Sequence, residues 1–376
     1  VVFHDSTLLS VGMAVKKVFV LAGEASGDVL GAELLTALRA ADPHVSITYT
    51  GGPAMSAVLQ GQAPWVSMEN MAFMGFAEVL RHLPQIWRND QTIKRALLQE
   101  RPDLVVLIDY PGYGLRLAKW LNAQGFRREG ARVVQLVSPQ FWAWKPGRLA
   151  TLKACFDAVY PLLPFESPLL AKAGVVAPYF GHPAAFRVPL GGWDPQGPIA
   201  LLPGSRTQEW AQHVPIFAAT AQALGREVRW YRPAHIPPGA YQKILAGLGV
   251  TASLETIHCG VPSMQGVSGA LVASGTATLE VALRGIPLVV AYKTSRLSYE
   301  IGKRIIRVPY ISLVNLILDR PAVSECVQDR CVPDILTQAM AQAWTRPDWV
   351  QTVAELRQAI DLGDPMPKVV QHARSL

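Results

Sequence analysis

The stretch that most constrains this chain is Gly269 to Tyr292, GALVASGTATLEVALRGIPLVVAY. It reads as strand, small-residue turn, helix, strand. Gly269–Ala273 is short and apolar, Ser274-Gly275-Thr276 turns the chain, and Ala277–Arg284 has helical composition that Gly285 and Pro287 bring to an end. Leu288–Ala291 is a continuous apolar run, as a strand covered on both faces requires. A helix opening directly from such a turn aims unpaired N–H groups and the positive end of its dipole at the mouth of the sheet, where a phosphate is well held. Glu280, one turn in, is within reach of sugar hydroxyls beside that phosphate. A carboxylate near a helix start is also favoured by the dipole alone, so the residues leave both readings open.

The chain has 376 residues, half of them hydrophobic and 17% charged, enough for two domains with a large core and no disordered bulk. A net charge of +7 suits anionic partners such as nucleotides, phosphorylated sugars or an anionic membrane face. The basic residues are spread out and carry no DNA- or RNA-binding signature, so nucleic acid is not expected as a partner. Cys155, Cys259, Cys326 and Cys331 form no CxxC pair and lie near no His cluster. That argues against zinc and for a reduced, cytoplasmic setting. No apolar run is long enough to span a bilayer. Val1–Gly12 lacks the features of a signal peptide and is read as a disordered upstream extension before Met13.

The first half alternates strand and helix. Lys17–Ala22 is a strand, followed by the Gly-rich loop Gly23–Asp28 and the helical stretch Val29–Ala40. Glu24, Ser26 and Asp28 crowd polar groups into that loop, and capping of the helix is the plain reading for Ser26 or Asp28. Met71, Met74, Phe76, Val79, Leu80 and Leu83 recur at roughly helical spacing, either as core or as a soft surface for acyl chains, with Arg81 and Arg88 nearby for lipid phosphates. Leu104–Ile108 is a buried strand ending at Asp109, which stands where open α/β sheets bind ligands. Asp109 is therefore a candidate base, against the alternative of a structural Asp bonded to loop N–H groups. Ser138–Trp144 carries two tryptophans after the strand Val133–Val137. His182, in Gly-His-Pro, donates either to a phosphate or to a backbone carbonyl.

Arg187–Pro198 is rich in Gly and Pro and is the best domain boundary. The expected organisation is an extension over 1–12, an N-terminal domain over 13–186, a linker over 187–198, a C-terminal domain over 199–345, and a helix and tail over 346–376 that can pack back on the first domain, with the tail after Gly363 loosely held. Beyond the linker, Ile199–Leu202 restarts the strand pattern and runs into Pro203-Gly204-Ser205-Arg206, then a helix from Thr207 to Leu224 interrupted near Pro215. Arg206 either forks onto a diphosphate or pairs with Glu209. Ser295–Ile306 reads as a basic amphipathic helix, solvated or in contact with phosphate or membrane. Asn315 is a lone amide in an apolar stretch and needs hydrogen-bond partners from protein or ligand.

The repeated alternation implies an α/β fold of two doubly wound, Rossmann-like domains facing one cleft. In order along the chain, AGEASGD, MGFAEVL, IDYP, SPQFWAWK, GHP, LPGSR, ASGTATLE and YISLVNL make it resemble the lipid-A-disaccharide synthases over Val18 to about Leu336. The resemblance implies a GT-B type, metal-independent inverting glycosyltransferase without a cofactor. It would join UDP-2,3-diacylglucosamine to 2,3-diacylglucosamine 1-phosphate, giving a β-1,6-linked tetraacyl disaccharide 1-phosphate of lipid A and UDP. It carries Asp109 over as the base, with Glu24 as a second catalytic group and Ser26 and His182 as substrate-binding residues. The diphosphate would meet Gly204, Ser205 and Arg206 and the turn Ser274, Gly275 and Thr276, with Glu280 near the ribose and Asn315 touching substrate. It also implies a peripheral inner-membrane enzyme on the cytoplasmic side and a homodimer. The family commonly continues I-D-x-P with Asp-Phe-Asn, where this chain has Gly112, Tyr113 and Gly114. Rival readings are a UDP-GlcNAc 2-epimerase-like enzyme and a nucleotide- or lipid-binding homologue without catalysis.

Overall fold

The computed structural model describes residues 15–71, 82–143, 145–233, 236–305 and 308–376. Val1–Gly12, most of the Met/Phe stripe (Met74, Phe76, Val79 and Leu80) with Arg81, and Trp144 lie outside the described residues. The chain divides into two units: one holds the residues up to Phe141, Lys145–Pro183 and Asp364–Leu376, and the other holds Ala184–Gly363.

The first unit is built on β1 (Lys17–Ala22), β2 (Ser46–Thr50), β3 (Leu104–Ile108), β4 (Arg132–Leu136) and β5 (Ala158–Tyr160). They form one parallel sheet in the order β2-β1-β3-β4-β5. All five residues of β3 are buried, because helices cover both faces of a parallel sheet. The strand order reverses between β1 and β3, where Ala22 pairs with Ile108. Ligands of open α/β sheets bind at such a reversal, beyond the carboxyl ends of the strands.

The second unit repeats the plan with β6 (Ile199–Leu202), β7 (Val228–Arg232), β8 (Ile257–Cys259), β9 (Gly269–Ala273), β10 (Leu288–Tyr292) and β11 (Ser324–Val327). Its parallel order is β11-β10-β9-β6-β7-β8, reversing between β6 and β9, where Leu202 pairs with Val272.

Three expectations are corrected. The helix after β6 runs without a break from Thr207 to Ala223 with Pro215 inside it. Proline removes one ladder bond, and the buried face of Trp210, Val214, Phe217 and Ala221 holds the turns on either side. The Gly/Pro-rich segment 187–198 is tied to the second unit: Val267 and Gly192 bond through N–H and C=O, as do Gly191 and Arg284, and the Trp193 indole donates to the Ser268 carbonyl at 3.0 Å. Finally, the tail is not loose. Pro365–Ser375 is a helix whose Met366, Val369, Val370 and Ala373 join the same core as Leu34, Leu35 and Leu38. Asp364 caps it, His372 Nδ1 meets the Tyr160 hydroxyl at 3.0 Å, and Arg374 pairs with Asp42 at 3.1 Å. The terminal helix is amphipathic, but the helix it packs on is far away in sequence, so its own residues do not name the partner.

This docking has a measurable consequence. Met366→Ala opens a cavity at a residue only 2% exposed and is expected to cost about 2–5 kcal/mol. Limited proteolysis should then release the C-terminal helix at lower urea concentrations than in the unmodified protein.

Candidate active site

In the first unit the strand reversal is built from β1 and β3. β3 ends at Ile108, and Asp109 and Tyr110 follow with φ of +47° and +48°. Two successive non-glycine residues in the left-handed region are costly and persist only where the surroundings over-determine them. Pro111 opens the next helix, Pro111–Ala123, and excludes the right-handed helical region for Tyr110. The Tyr110 carbonyl accepts from the N–H groups of Tyr113 and Gly114, and its hydroxyl donates to the Met71 carbonyl at 2.8 Å. A methyl group at Gly23 would run into the Tyr110 ring, so the glycine lets the first loop and this tyrosine touch. The Asp109 N–H donates to the Leu136 carbonyl at 2.9 Å, fixing it to β4 as well.

This placement changes the acid chemistry of Asp109. Burial, then the negative charge of Glu24, raises its pKa from 3.8 to about 6, against the opposing pull of the Tyr110 N–H and the Arg148 guanidinium. The fold therefore brings Glu24 and Asp109 together. Ser26 lies exposed in the first turn of the helix Ala25–Ala41, which starts four residues earlier than the expected Val29. Asp28 does not cap its own helix. It is 3% exposed, and its carboxylate accepts from the N–H groups of Gly52, Ala54 and Met55 at 2.8, 2.8 and 3.2 Å, capping the helix Pro53–Val58 instead. His182 is buried at the end of this unit.

In the second unit the reversal is flanked by Pro203–Arg206 after β6 and Ser274–Thr276 after β9. Gly204 has φ +117°, and a Cβ there would meet the Glu209 carboxylate. Of the two readings of Arg206, the structure contains the local one: Glu209 accepts from the Ser205 N–H at 2.8 Å, the Arg206 N–H at 3.2 Å and the Arg206 guanidinium at 3.1 Å. These are anion-binding donors, here satisfied by a carboxylate one helical turn away. Arg206 remains 56% exposed. Gly275 is the N-cap of Thr276–Leu283 without a side-chain cap, and nothing lies within 4 Å of where its Cβ would be. The Ser274 hydroxyl donates to the Ile311 carbonyl at 2.9 Å. Glu280 is half-buried with Arg187 Nη2 at 3.8 Å, and burial pushes its pKa up while Arg187 and Arg284 pull it down.

Asn315 has a framework role. It is 1% exposed, its Nδ2 donates to the Val323 carbonyl at 2.9 Å and Glu325 Oε1 at 2.8 Å, and its Oδ1 accepts from the Val323 N–H at 2.8 Å. Both amide protons, expected for substrate, join the helix Leu313–Leu318 to β11. Sequence reasoning missed His213. Fully buried, its Nδ1–H donates to the Pro203 carbonyl and its Nε2 accepts from the Lys293 N–H, both at 2.9 Å, so one neutral ring links the loops after β6 and β10. Among the described residues no group of three His, Cys, Asp or Glu side chains is arranged to hold a metal ion.

The family model for lipid-A-disaccharide synthetase matches residues 18–358. The chain belongs to the lipid-A-disaccharide synthase family. It is 36% identical over 336 residues to the lipid-A-disaccharide synthase of Geobacter sulfurreducens, covering 85% of each chain, and 35% identical over 377 residues to that of Chromobacterium violaceum, covering 92% and 93%. Among solved structures it is similar to UDP-GlcNAc 2-epimerase of Methanocaldococcus jannaschii in complex with UDP-GlcNAc and UDP (TM-score 0.60, 10% identity, 96% and 100% covered). It is also similar to the glycosyltransferase of kitacinnamycin (TM-score 0.60, 14% identity, 96% and 99% covered). At these identities the structural likeness speaks for the fold: two parallel-sheet α/β domains of the kind shared by GT-B glycosyltransferases and epimerases. As a lipid-A-disaccharide synthase the chain is a glycosyltransferase, and no helix among the described residues is long and apolar enough to cross a membrane.

The raised pKa of Asp109 has a sign that can be checked. The folded state binds this proton more tightly than the unfolded chain. The resulting stabilisation is complete below about pH 4 and is lost as pH rises through about 6. Above that, the ionised carboxylate costs on the order of 2–3 kcal/mol. Asp109→Asn should therefore raise the thermal midpoint at pH 8 and leave it nearly unchanged at pH 4, as read by differential scanning fluorimetry.

Proposed function

We propose that this chain joins UDP-2,3-diacylglucosamine to 2,3-diacylglucosamine 1-phosphate, forming the β-1,6 tetraacyl disaccharide 1-phosphate and UDP. The observation that carries the reading is Asp109, a carboxylate at a strand reversal whose pKa of about 6 suits a base working near neutral pH. It accepts the proton of the acceptor 6-hydroxyl as that oxygen attacks C1 of the donor sugar, and UDP leaves from the opposite face in one inverting displacement. Glu24 raises the basicity of Asp109, and Ser26 and His182 bind the acceptor side. The UDP diphosphate is held by the N–H groups of Gly204–Arg206 and of the Ser274–Thr276 turn, with the Arg206 guanidinium exchanging Glu209 for phosphate. These donors supply the charge stabilisation that a cation supplies in other transferases. Glu280 takes the ribose hydroxyls.

Peripheral attachment to an anionic membrane belongs to the same proposal. Arg296, Lys303 and Arg304 are exposed on the helix Arg296–Ile305, and both substrates are acylated. Co-sedimentation with anionic vesicles that salt does not weaken, or that never occurs, would remove it. A homodimer is proposed on the family's precedent and is read by light scattering.

The test is UDP release with both lipid substrates, with and without chelator. Activity is expected to survive chelation, to fall by three orders of magnitude or more in Asp109→Ala, and to decline as pH drops through about 6. Consumption of UDP-GlcNAc without any lipid would identify a 2-epimerase instead, and UDP binding without turnover would identify a binding protein. Arg206→Lys removes the planar fork and should weaken UDP about tenfold in calorimetry while leaving the fold intact.

A further inference from the structure

Gln135 is a polar side chain in the middle of an apolar strand, and it is fully buried. Its Nε2 faces three backbone carbonyls at once: Asp109 at 3.2 Å, Leu136 at 3.3 Å and Val137 at 3.1 Å. The opposite assignment of the amide would set Oε1 against those same oxygens, so the nitrogen must point toward them. Oε1 is left buried without a partner. A leucine or methionine would fill the same space without that orphan acceptor, so packing does not account for the amide.

Two of the three carbonyls belong to residues in the left-handed region. Asp109 and Tyr110 are left-handed, and Val137, a β-branched residue, has φ +71°. Such conformations need external support. The Leu136 carbonyl also accepts the Asp109 N–H, so the clamp closes a small loop joining the ends of β3 and β4.

We propose that Gln135 is a positioning residue for Asp109: its amide nitrogen pins the Asp109 carbonyl to the carboxyl end of β4 and so holds the carboxylate in its buried, reactive orientation. This rests on the reading of Asp109 as the base. Without the clamp, the backbone relaxes toward ordinary conformations and the carboxylate turns toward water, where its affinity for a proton falls.

The experiment compares UDP release by the full-length protein and by Gln135→Met, which keeps the volume and removes the donors, across pH and both lipid substrates. The expected result is a folded protein with KM for both substrates within about twofold, kcat lowered ten- to a hundredfold, and an acid limb of the kcat/KM profile displaced below the unmodified one. A folded variant with unchanged kcat and acid limb, or one in which only KM rises, overturns the proposal. Should Gln135→Met fail to fold, it is made together with Val137→Gly, because glycine holds a left-handed φ without support. The pair should fold and still show the lowered kcat, and unmodified kinetics in the pair overturn the proposal. Asp109→Asn is assayed alongside. Full activity there defeats both the base and its positioning, whereas an inactive Asp109→Asn beside a normal Gln135→Met defeats the positioning alone.

Discussion

A parallel strand must be covered on both faces, and the chain must return to its starting end before it can add the next one. That requirement organises both units. Every strand of each sheet runs the same way, so every loop that leaves a carboxyl end emerges on one side. Where the strand order reverses, two of those loops part and leave room between them. Glu24 and Asp109 sit at one such parting, and Ser205, Arg206 and Gly275 at the other. The chemistry assigned to this chain follows from where backbone geometry leaves room, with side chains then tuned to it.

Much of this plan is legible in the sequence because it is local. Apolar runs of five residues followed by small-residue turns mark strand ends, and the residue just past a strand end is a candidate ligand group whatever the remainder does. Asp109 and the Gly204 and Gly275 turns are found in this way. The raised proton affinity of Asp109 is not legible, because it depends first on burial and then on Glu24, far away in the chain and adjacent only once β1 pairs with β3.

The misreadings share that origin. Asp28 looks like a cap for the helix it belongs to and caps another. Asn315 is a lone amide whose expected partner is substrate, and it is engaged by residues further along the chain. The final helix is amphipathic, but the surface it needs is formed by residues near the start of the chain. In each case a polar or short segment is satisfied by something remote, and only three-dimensional packing names the partner.

The His213 ring joins the loops after β6 and β10 as a neutral bridge, and that neutrality is conditional. Burial holds its proton affinity below the ordinary histidine range and Lys293 lowers it further, while the Pro203 carbonyl and Glu209 work the other way. Acid would convert Nε2 from an acceptor into a second donor, set head-on against the Lys293 N–H that it now receives. The second unit thus has an acid sensitivity of its own, carried by a group in a different unit from Asp109.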